Sequence, residues 1–435
     1  MDDRYNGNRL AHKVGIIGLG FVGLPLACAF ASKGFQVTGI DLDDRKINML
    51  RNGNSYIHDI TDEELHSVLS SKRLIVSSDY SEMSHADSIV ICVPTPLTPL
   101  HTPDLSYLTD TCNRLAPYLR HGQLIVVESS TYPGTTREVT QPLLDKSGLT
   151  IGEHIFVAYS PERIDPGSQT ALTQIPKLVS GMTPACLERI VQLYSQVFEQ
   201  VVPVSSTEVA EMAKLLENTF RLVNISFINE FAQICDKMNI NVWEVIAAAG
   251  TKPYGFTPFY PGPGIGGHCI PVDPLYLQWK ANLFGIKSKF IELSHVVNET
   301  MPQYVVQRLR SVLEPEKTLS GAKILIYGVT YKKNTPDTRE SSALPLIQLL
   351  HRAGADVMFH DPLISALSVG DLKLDSVSLS EESLKAVDCV LIHTDHNAMP
   401  VDLILQHTPL VFDCRNATAG RSSQATIVTL GGGAV

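Results

Sequence analysis

Short apolar runs alternate with stretches of helical periodicity through the first 205 residues, the pattern of a parallel sheet covered by helices on both faces. The sharpest instance comes first. Lys13-Val-Gly-Ile-Ile reads as a buried strand, followed by Gly18-Leu-Gly20-Phe-Val-Gly23. A helical segment over 24–33 closes at Gly34, a natural C′ residue, and a second strand over 35–40 ends at Asp41. Strand, glycine turn, helix, strand and acid together form the βαβ unit that cradles a dinucleotide. Further strands over 88–93 and 124–128, and near 155–159 and 177–180, continue a mostly parallel, doubly wound sheet.

Ser205-Ser-Thr-Glu208 has capping-box spacing and opens a helical pattern that runs without Pro or Gly to about Met238. A helix of that length bridges domains or packs against a second subunit. Thr207, Glu211, Lys214, Asn218 and Arg221 form one polar stripe on it, while Met212, Leu215, Leu216, Phe220, Leu222 and Val223 make much of the remainder apolar. A mostly apolar circumference implies burial, so Lys214 and Asn218 either point into a site or lie on a solvated face. A smaller helical region follows, interrupted by a Pro/Gly-rich loop over 252–274.

After residue 320 the pattern restarts. Lys323-Ile-Leu-Ile-Tyr-Gly328 matches Lys13–Gly18 in spacing, and the run from Gly354 to Asp361 matches that from Gly34 to Asp41. An insertion around 330–342 replaces the glycine turn. The reading is a second Rossmann-like domain that lost its dinucleotide turn; two unrelated α/β domains are the alternative. Strands over 388–393 and 410–413 belong to it. The fold class is therefore α/β, two Rossmann-like doubly wound domains joined by a long central helix and a small helical domain. The expected boundaries are 1–205, 206–315 and 316–420, with 421–435 a flexible tail.

Composition adds exclusions. Of 435 residues 44% are hydrophobic and 18% charged, which supports several cores and rules out bulk disorder. Thirty-five basic against 45 acidic residues argue against nucleic-acid or membrane-surface partners. Eight scattered cysteines without a CxxC pair, a polar N-terminus and no long apolar run fit a reducing cytoplasm. His393 and His396 lack a third ligand, so no metal is expected.

Candidate chemistry collects at a few points. Gly18 permits the tight turn, Gly20 the approach of a pyrophosphate, and Gly23 close helix packing; Asp41 accepts from ribose hydroxyls and favours NAD over NADP. Cys269 follows the glycine-rich Gly262-Pro-Gly-Ile-Gly-Gly-His and precedes a helix expected to start at Pro274, with Asp273 as N-cap. A thiol there sits in positive potential that favours thiolate. Adjacent loop side chains usually diverge, so His268 stays ambiguous and no Cys–His dyad is assigned. Ser129-Ser-Thr131 and Ser160-Pro-Glu162-Arg163-Ile-Asp165 follow strand ends, where α/β sites form. Lys333 and Arg339 in the inserted loop either meet phosphate or are simply solvated.

These motifs resemble the UDP-glucose/GDP-mannose dehydrogenase superfamily over about residues 12–418. They are Gly18-Leu-Gly-Phe-Val-Gly-Leu-Pro25, Ser129-Ser-Thr-Tyr-Pro-Gly134, Ser160-Pro-Glu-Arg163, Lys214-Leu-Leu-Glu-Asn218, Gly264-Ile-Gly-Gly-His-Cys-Ile-Pro-Val-Asp-Pro274 and Tyr331-Lys-Lys-Asn-Thr-Pro-Asp-Thr-Arg-Glu-Ser-Ser342. The resemblance implies a nucleotide-sugar 6-dehydrogenase: NAD on the first domain, UDP-sugar largely on the last, and a homodimer or higher homo-oligomer through the central helix. It implies Cys269 as nucleophile, Lys214 and Asn218 at an oxyanion, and Asp273, Glu162 and Thr131 in water and proton handling. Cofactor contacts would include Phe21, Val22, Thr95, Thr131 and Arg339 beside the glycines and Asp41. Substrate contacts would include Glu162, Arg163, Lys214, Asn218, Tyr260, Gly266, Gly267 and Lys333. Within the superfamily the chain is most similar to the bacterial UDP-N-acetylhexosamine branch, with UDP-N-acetylglucosamine the leading substrate. Its manno epimer and UDP-glucose are alternatives; a two-electron β-hydroxyacid dehydrogenase or a non-catalytic NAD- or sugar-binding module are more distant ones. Asn334-Thr-Pro-Asp departs from the family pattern, in which an acid often follows the lysines more closely.

Overall fold

The computed structural model describes residues 12–57, 59–164, 170–267, 269–313 and 317–433; His268 and Asp165 lie outside them. The chain divides into two compact units, residues 1–217 with 275–286, and residues 218–274 with 287–435.

The first unit is built on eight strands: β1 (Lys13–Ile17), β2 (Gln36–Ile40), β3 (Leu74–Ser77), β4 (Ser88–Ile91), β5 (Leu124–Val127), β6 (Phe156–Tyr159), β7 (Lys177–Gly181) and β8 (Val201–Pro203). Their order is β3-β2-β1-β4-β5-β6-β7-β8. All neighbours are parallel except β6 and β7. Covered on both faces, β4 and β5 are buried at every position, which is why they read as unbroken apolar runs. Period-two alternation sorts the side chains: Ile16 and Val90 join Phe30 and Phe35 in one core, while Ile17, Ile89 and Ile91 join Leu108 and Leu115 in the other. The glycine turn feeds helix α1 (Gly23–Ser32), and α2 (Pro184–Tyr194) covers the same core as Phe30.

Helix α3 (Thr207–Met238) is the long helix expected from sequence. Its cap lies one residue later than the motif suggested: Ser206 Oγ accepts from the Val209 N–H at 3.3 Å. The polar stripe is the buried one. Thr207, Glu211, Lys214 and Asn218 are buried, whereas Leu216, Phe220, Phe227, Ile234 and Met238 stand 47–64% exposed.

The second unit holds α4 (Val242–Gly250), α6 (Lys289–Leu313), α7 (Ala343–Arg352) and a parallel sheet; α5 (Asp273–Leu283) begins in it and continues into the first unit. The sheet has strands β9 (Lys323–Tyr327), β10 (Asp356–His360), β13 (Cys389–Ile392), β14 (Leu410–Asp413) and β15 (Thr426–Thr429), in the order β10-β9-β13-β14-β15. β11 (Ala366–Val369) and β12 (Leu372–Asp375) pair as a separate hairpin. The internal repeat extends to hydrogen bonds. Gly18 N–H donates to Ile40 O and Gly328 N–H to His360 O, both at 2.8 Å. Leu19 N–H donates to Asp41 and Val329 N–H to Asp361.

One expectation fails. Residues 421–433 are not a flexible tail: β15 pairs with β14, and Leu430 O accepts from Trp243 Nε1 at 2.8 Å. Gly431 O accepts from Val242 N–H, while Gly431 and Gly433 N–H donate to the buried Asp236 carboxylate at 3.2 and 3.1 Å. A Cβ at Gly431 would overlap Val242, so these glycines serve close approach rather than mobility.

Candidate active site

In the first unit the turn after β1 is shaped by sterics. Gly18 has φ +91°, and a Cβ there would lie 2.6 Å from Cys92 O. A Cβ at Gly23 would overlap Gly18 O, while one at Gly20 meets nothing within 4 Å. Gly20 therefore borders open space at the N-terminus of α1, whose Val22 cap brings no side-chain bond and whose first turn holds no acid. The N–H groups of a helix N-terminus bordering open space fit an anionic pyrophosphate. Phe21 is partly exposed beside them. Asp41 is oriented by the N–H groups of Leu19 and Asp43, both at 3.0 Å, with Lys46 at 3.5 Å, and a carboxylate so held keeps acceptor capacity for a ribose.

Past the carboxyl ends of β4 and β5, Thr95 Oγ1 donates to Ser130 O at 2.6 Å and ties two loops together. Thr131 is fully buried, and its Oγ1 has no partner among the described residues. An orphaned buried hydroxyl is costly unless a ligand satisfies it. Glu211 of α3 clamps the same loop, accepting from Gly134 N–H at 2.6 Å and from Thr136 N–H and Oγ1 at 2.9 and 2.7 Å. Burial pushes its carboxyl up to about 7 against these donors. Sequence placed Glu211 on the polar stripe without showing what it holds.

Glu162, two residues into the loop after Ser160, is almost surrounded. Its Oε1 accepts from Arg163 and Ile164 N–H at 2.6 and 2.7 Å, and its Oε2 from Lys177 Nζ at 2.6 Å. Its main-chain carbonyl accepts from Lys214 Nζ at 2.6 Å. Although burial opposes ionisation, the Lys177 ammonium, these N–H donors and Lys214 together hold the carboxyl below the usual glutamate range. Arg163 pairs with Glu217 at 2.6 Å.

In the second unit Asn218, four residues along α3 from Lys214, donates to the Asp273 carboxylate and accepts from Arg221. Asp273 is the first residue of α5 rather than its cap, because its N–H already closes a turn onto Cys269 O at 2.9 Å. Cys269 is exposed; the other seven cysteines are buried, and burial pushes the thiols of Cys28, Cys112 and Cys389 up to about 12. The Arg339 guanidinium faces Cys269 electrostatically and is itself fixed by Asp337, 2.6 Å from Nη2. Asp337 is the displaced acid of the Asn334-Thr-Pro-Asp departure, and its hold on Arg339 is not visible in spacing alone.

Gly266 and Gly267 are set against the inserted loop. Cβ atoms there would lie 2.6 Å from Glu340 O and 2.8 Å from the Tyr331 ring, and Gly267 N–H donates to Arg339 O at 3.3 Å. Their absent side chains let two loops meet. Asn298 fixes the same segment, accepting from Ile265 N–H at 2.6 Å. Lys333 is half exposed, 4.0 Å from Asp395. Tyr260 is exposed and stacks on Trp243 with ring centroids 5.9 Å apart. His393 bonds Ser342 at 2.8 Å and is driven down to about 3 by burial, hence neutral. His396 bonds Asp361 at 3.1 Å and closes off the position that Asp41 occupies in the first unit.

A dinucleotide turn on one Rossmann unit, a second Rossmann unit whose acid is internally spent, and an exposed thiol at a helix start define an NAD-dependent dehydrogenase with a separate nucleotide-binding domain. Comparison with known families agrees. The UDP-glucose/GDP-mannose dehydrogenase family matches through its NAD binding domain at residues 12–198, its central domain at 208–300 and its UDP binding domain at 325–420. The chain belongs to this family and is an NAD-dependent nucleotide-sugar dehydrogenase. It is 35% identical over 399 residues to a UDP-N-acetyl-D-mannosamine dehydrogenase of Methanococcus maripaludis, covering 90% of this chain and 88% of the relative. It is 36% identical over 388 residues to a UDP-N-acetyl-D-glucosamine 6-dehydrogenase of Salmonella typhi, covering 88% and 90%. A solved UDP-D-ManNAc dehydrogenase from Pyrococcus horikoshii superposes with a TM-score of 0.87 at 30% identity, covering 97% of this chain and 99% of that one. Among the described residues no helix is long and apolar enough to cross a membrane.

Proposed function

We propose that the protein oxidises the C6 hydroxyl of a UDP-N-acetylhexosamine to the carboxylate, with UDP-N-acetylglucosamine the preferred substrate, as a cytoplasmic step in making surface-polysaccharide precursors. The observation that carries this reading is Cys269, exposed at the start of α5 and facing Arg339 while every other thiol is buried. NAD supplies the oxidising power, accepting one hydride at each of two steps. Gly18, Gly20 and Gly23 with the α1 N-terminus hold its pyrophosphate, and Asp41 its ribose; Phe21, Val22, Thr95 and Arg339 complete the contacts.

The Cys269 thiolate adds to the C6 aldehyde, forming a C–S bond and an oxyanion that takes up a proton as a thiohemiacetal. Loss of the second hydride together with the hydroxyl proton leaves a thioester. Water then adds at the acyl carbon and the C–S bond breaks, releasing carboxylate and thiolate. Lys214 and Asn218 stabilise the oxyanion, Thr131 and Asp273 handle water and protons, and Glu162 seats Lys214 through its carbonyl. Arg163, Tyr260, Lys333 and the backbone at Gly266 and Gly267 bind the UDP-sugar. The exposed apolar residues of α3, Phe220, Phe227, Ile234 and Met238, recur at intervals of seven, seven and four and form a dimer seam.

The manno epimer is the second reading, favoured by the names of the Methanococcus and Pyrococcus relatives. A panel of UDP-N-acetylglucosamine, UDP-N-acetylmannosamine and UDP-glucose followed at 340 nm decides between them. The gluco substrate is expected to give a kcat/KM at least about tenfold above the others, a difference of ~1.4 kcal/mol in transition-state binding; a manno preference of that size transfers the assignment.

A further inference from the structure

The first unit buries a lysine that the chemistry above does not use. Lys177 is the first residue of β7, 2% exposed, with Nζ 2.6 Å from Glu162 Oε2 and 2.9 Å from Glu128 Oε2. Tyr194 of α2 donates to the other oxygen of Glu128. Both carboxylates and the tyrosine are buried as well. Removing a lysine and two carboxylates from water is expensive, and well-packed apolar residues do as well or better for stability alone. The cluster's position gives it another use. β7 is the strand that runs antiparallel to its neighbour, and this reversal sets its first residue at the carboxyl edge of the parallel strands, beside the loops that follow β5 and β6.

We propose that Lys177 is a positioning residue for Lys214, acting through Glu162. Lys177 and two backbone N–H groups fill three of the roughly four acceptor sites of the Glu162 carboxylate and fold the 162–164 segment onto itself. That folding aims the Glu162 carbonyl at Lys214 Nζ, 2.6 Å away. Glu128, held by Tyr194, balances the lysine from the far side. Burial drives the Glu128 carboxyl up, whereas the Lys177 ammonium and the backbone donors hold that of Glu162 down. Lys214, Tyr194 and Cys92 are the titratable groups that meet the cluster, and Arg163 meets it through its main-chain N–H.

The inference rests on Lys214 as an oxyanion donor, so its test measures that first. Lys214→Ala, Lys177→Met and the double variant are compared in the full-length enzyme for kcat, KM and NAD affinity. Lys177→Met is expected to lower kcat by on the order of 10- to 100-fold, since a small misplacement of a catalytic group has that effect, with NAD affinity unchanged. In the Lys214→Ala background the same change is expected to lower kcat less than threefold, because the residue through which it acts is gone. Full additivity, or a Lys177→Met enzyme with wild-type kcat, overturns the inference. A Lys214→Ala enzyme with wild-type kcat overturns the functional reading instead. Should Lys177→Met lose NAD affinity, the cycle is run with Lys177→Gln, which keeps one donor toward Glu162, and the same two outcomes decide.

Discussion

Cys269→Ser is expected to abolish overall turnover, lowering kcat by on the order of 10^3-fold or more, while NAD affinity and thermal stability stay at wild-type values. Cys269 is exposed, so the substitution removes no core packing and leaves no cavity. What it removes is the proposed nucleophile, and a serine hydroxyl is far harder to ionise than a thiol. The fixed environment, Arg339 held by Asp337 and the α5 N-terminus, is unchanged by exchanging sulfur for oxygen. Steady-state rates, an NAD titration and a melting curve on one preparation check the expectation. A serine enzyme within tenfold of wild type removes the thiol from the mechanism.

Gly23→Ala has the second large effect, and Gly20→Ala explains why. At Gly23 the added methyl overlaps Gly18 O and comes within 3.2 Å of the Cys92 side chain. A backbone oxygen cannot rotate away, so the turn must open. Loss of ~3 kcal/mol of stability and on the order of 10^2-fold in NAD affinity are expected together. At Gly20 the methyl meets no protein atom within 4 Å. There the melting temperature is expected to stay within about 1 °C of wild type while NAD affinity still falls, because the filled space is the ligand's. Equal melting temperatures for all three proteins would contradict this account of the turn.

Much of this was legible in the sequence. Apolar runs marked β1, β2, β4, β5, β6 and β7, the glycine spacing marked the turn, and an uninterrupted helical pattern marked α3. The repeat of Gly18–Asp41 in Gly328–Asp361 was visible as spacing and is matched bond for bond. What stayed hidden depends on tertiary placement. Lys177 meets partners 49 and 15 residues away only because β7 reverses direction. Gly266 and Gly267 stood among the substrate contacts that the resemblance implies, and spacing alone did not show that their missing side chains admit Tyr331 and Glu340. β15 escaped notice because a polar stretch precedes it and three glycines follow, a composition shared by tails and by close backbone docking.

Covalent capture on Cys269 is expected to carry the alcohol through to a carboxylate without release of the aldehyde. Complete conversion of a limiting amount of UDP-N-acetylglucosamine, with NAD in excess, tests it by the ratio of NADH formed to sugar consumed. Two NADH per sugar are expected, with no free aldehyde at any time. One NADH per sugar, with aldehyde accumulating, would contradict it.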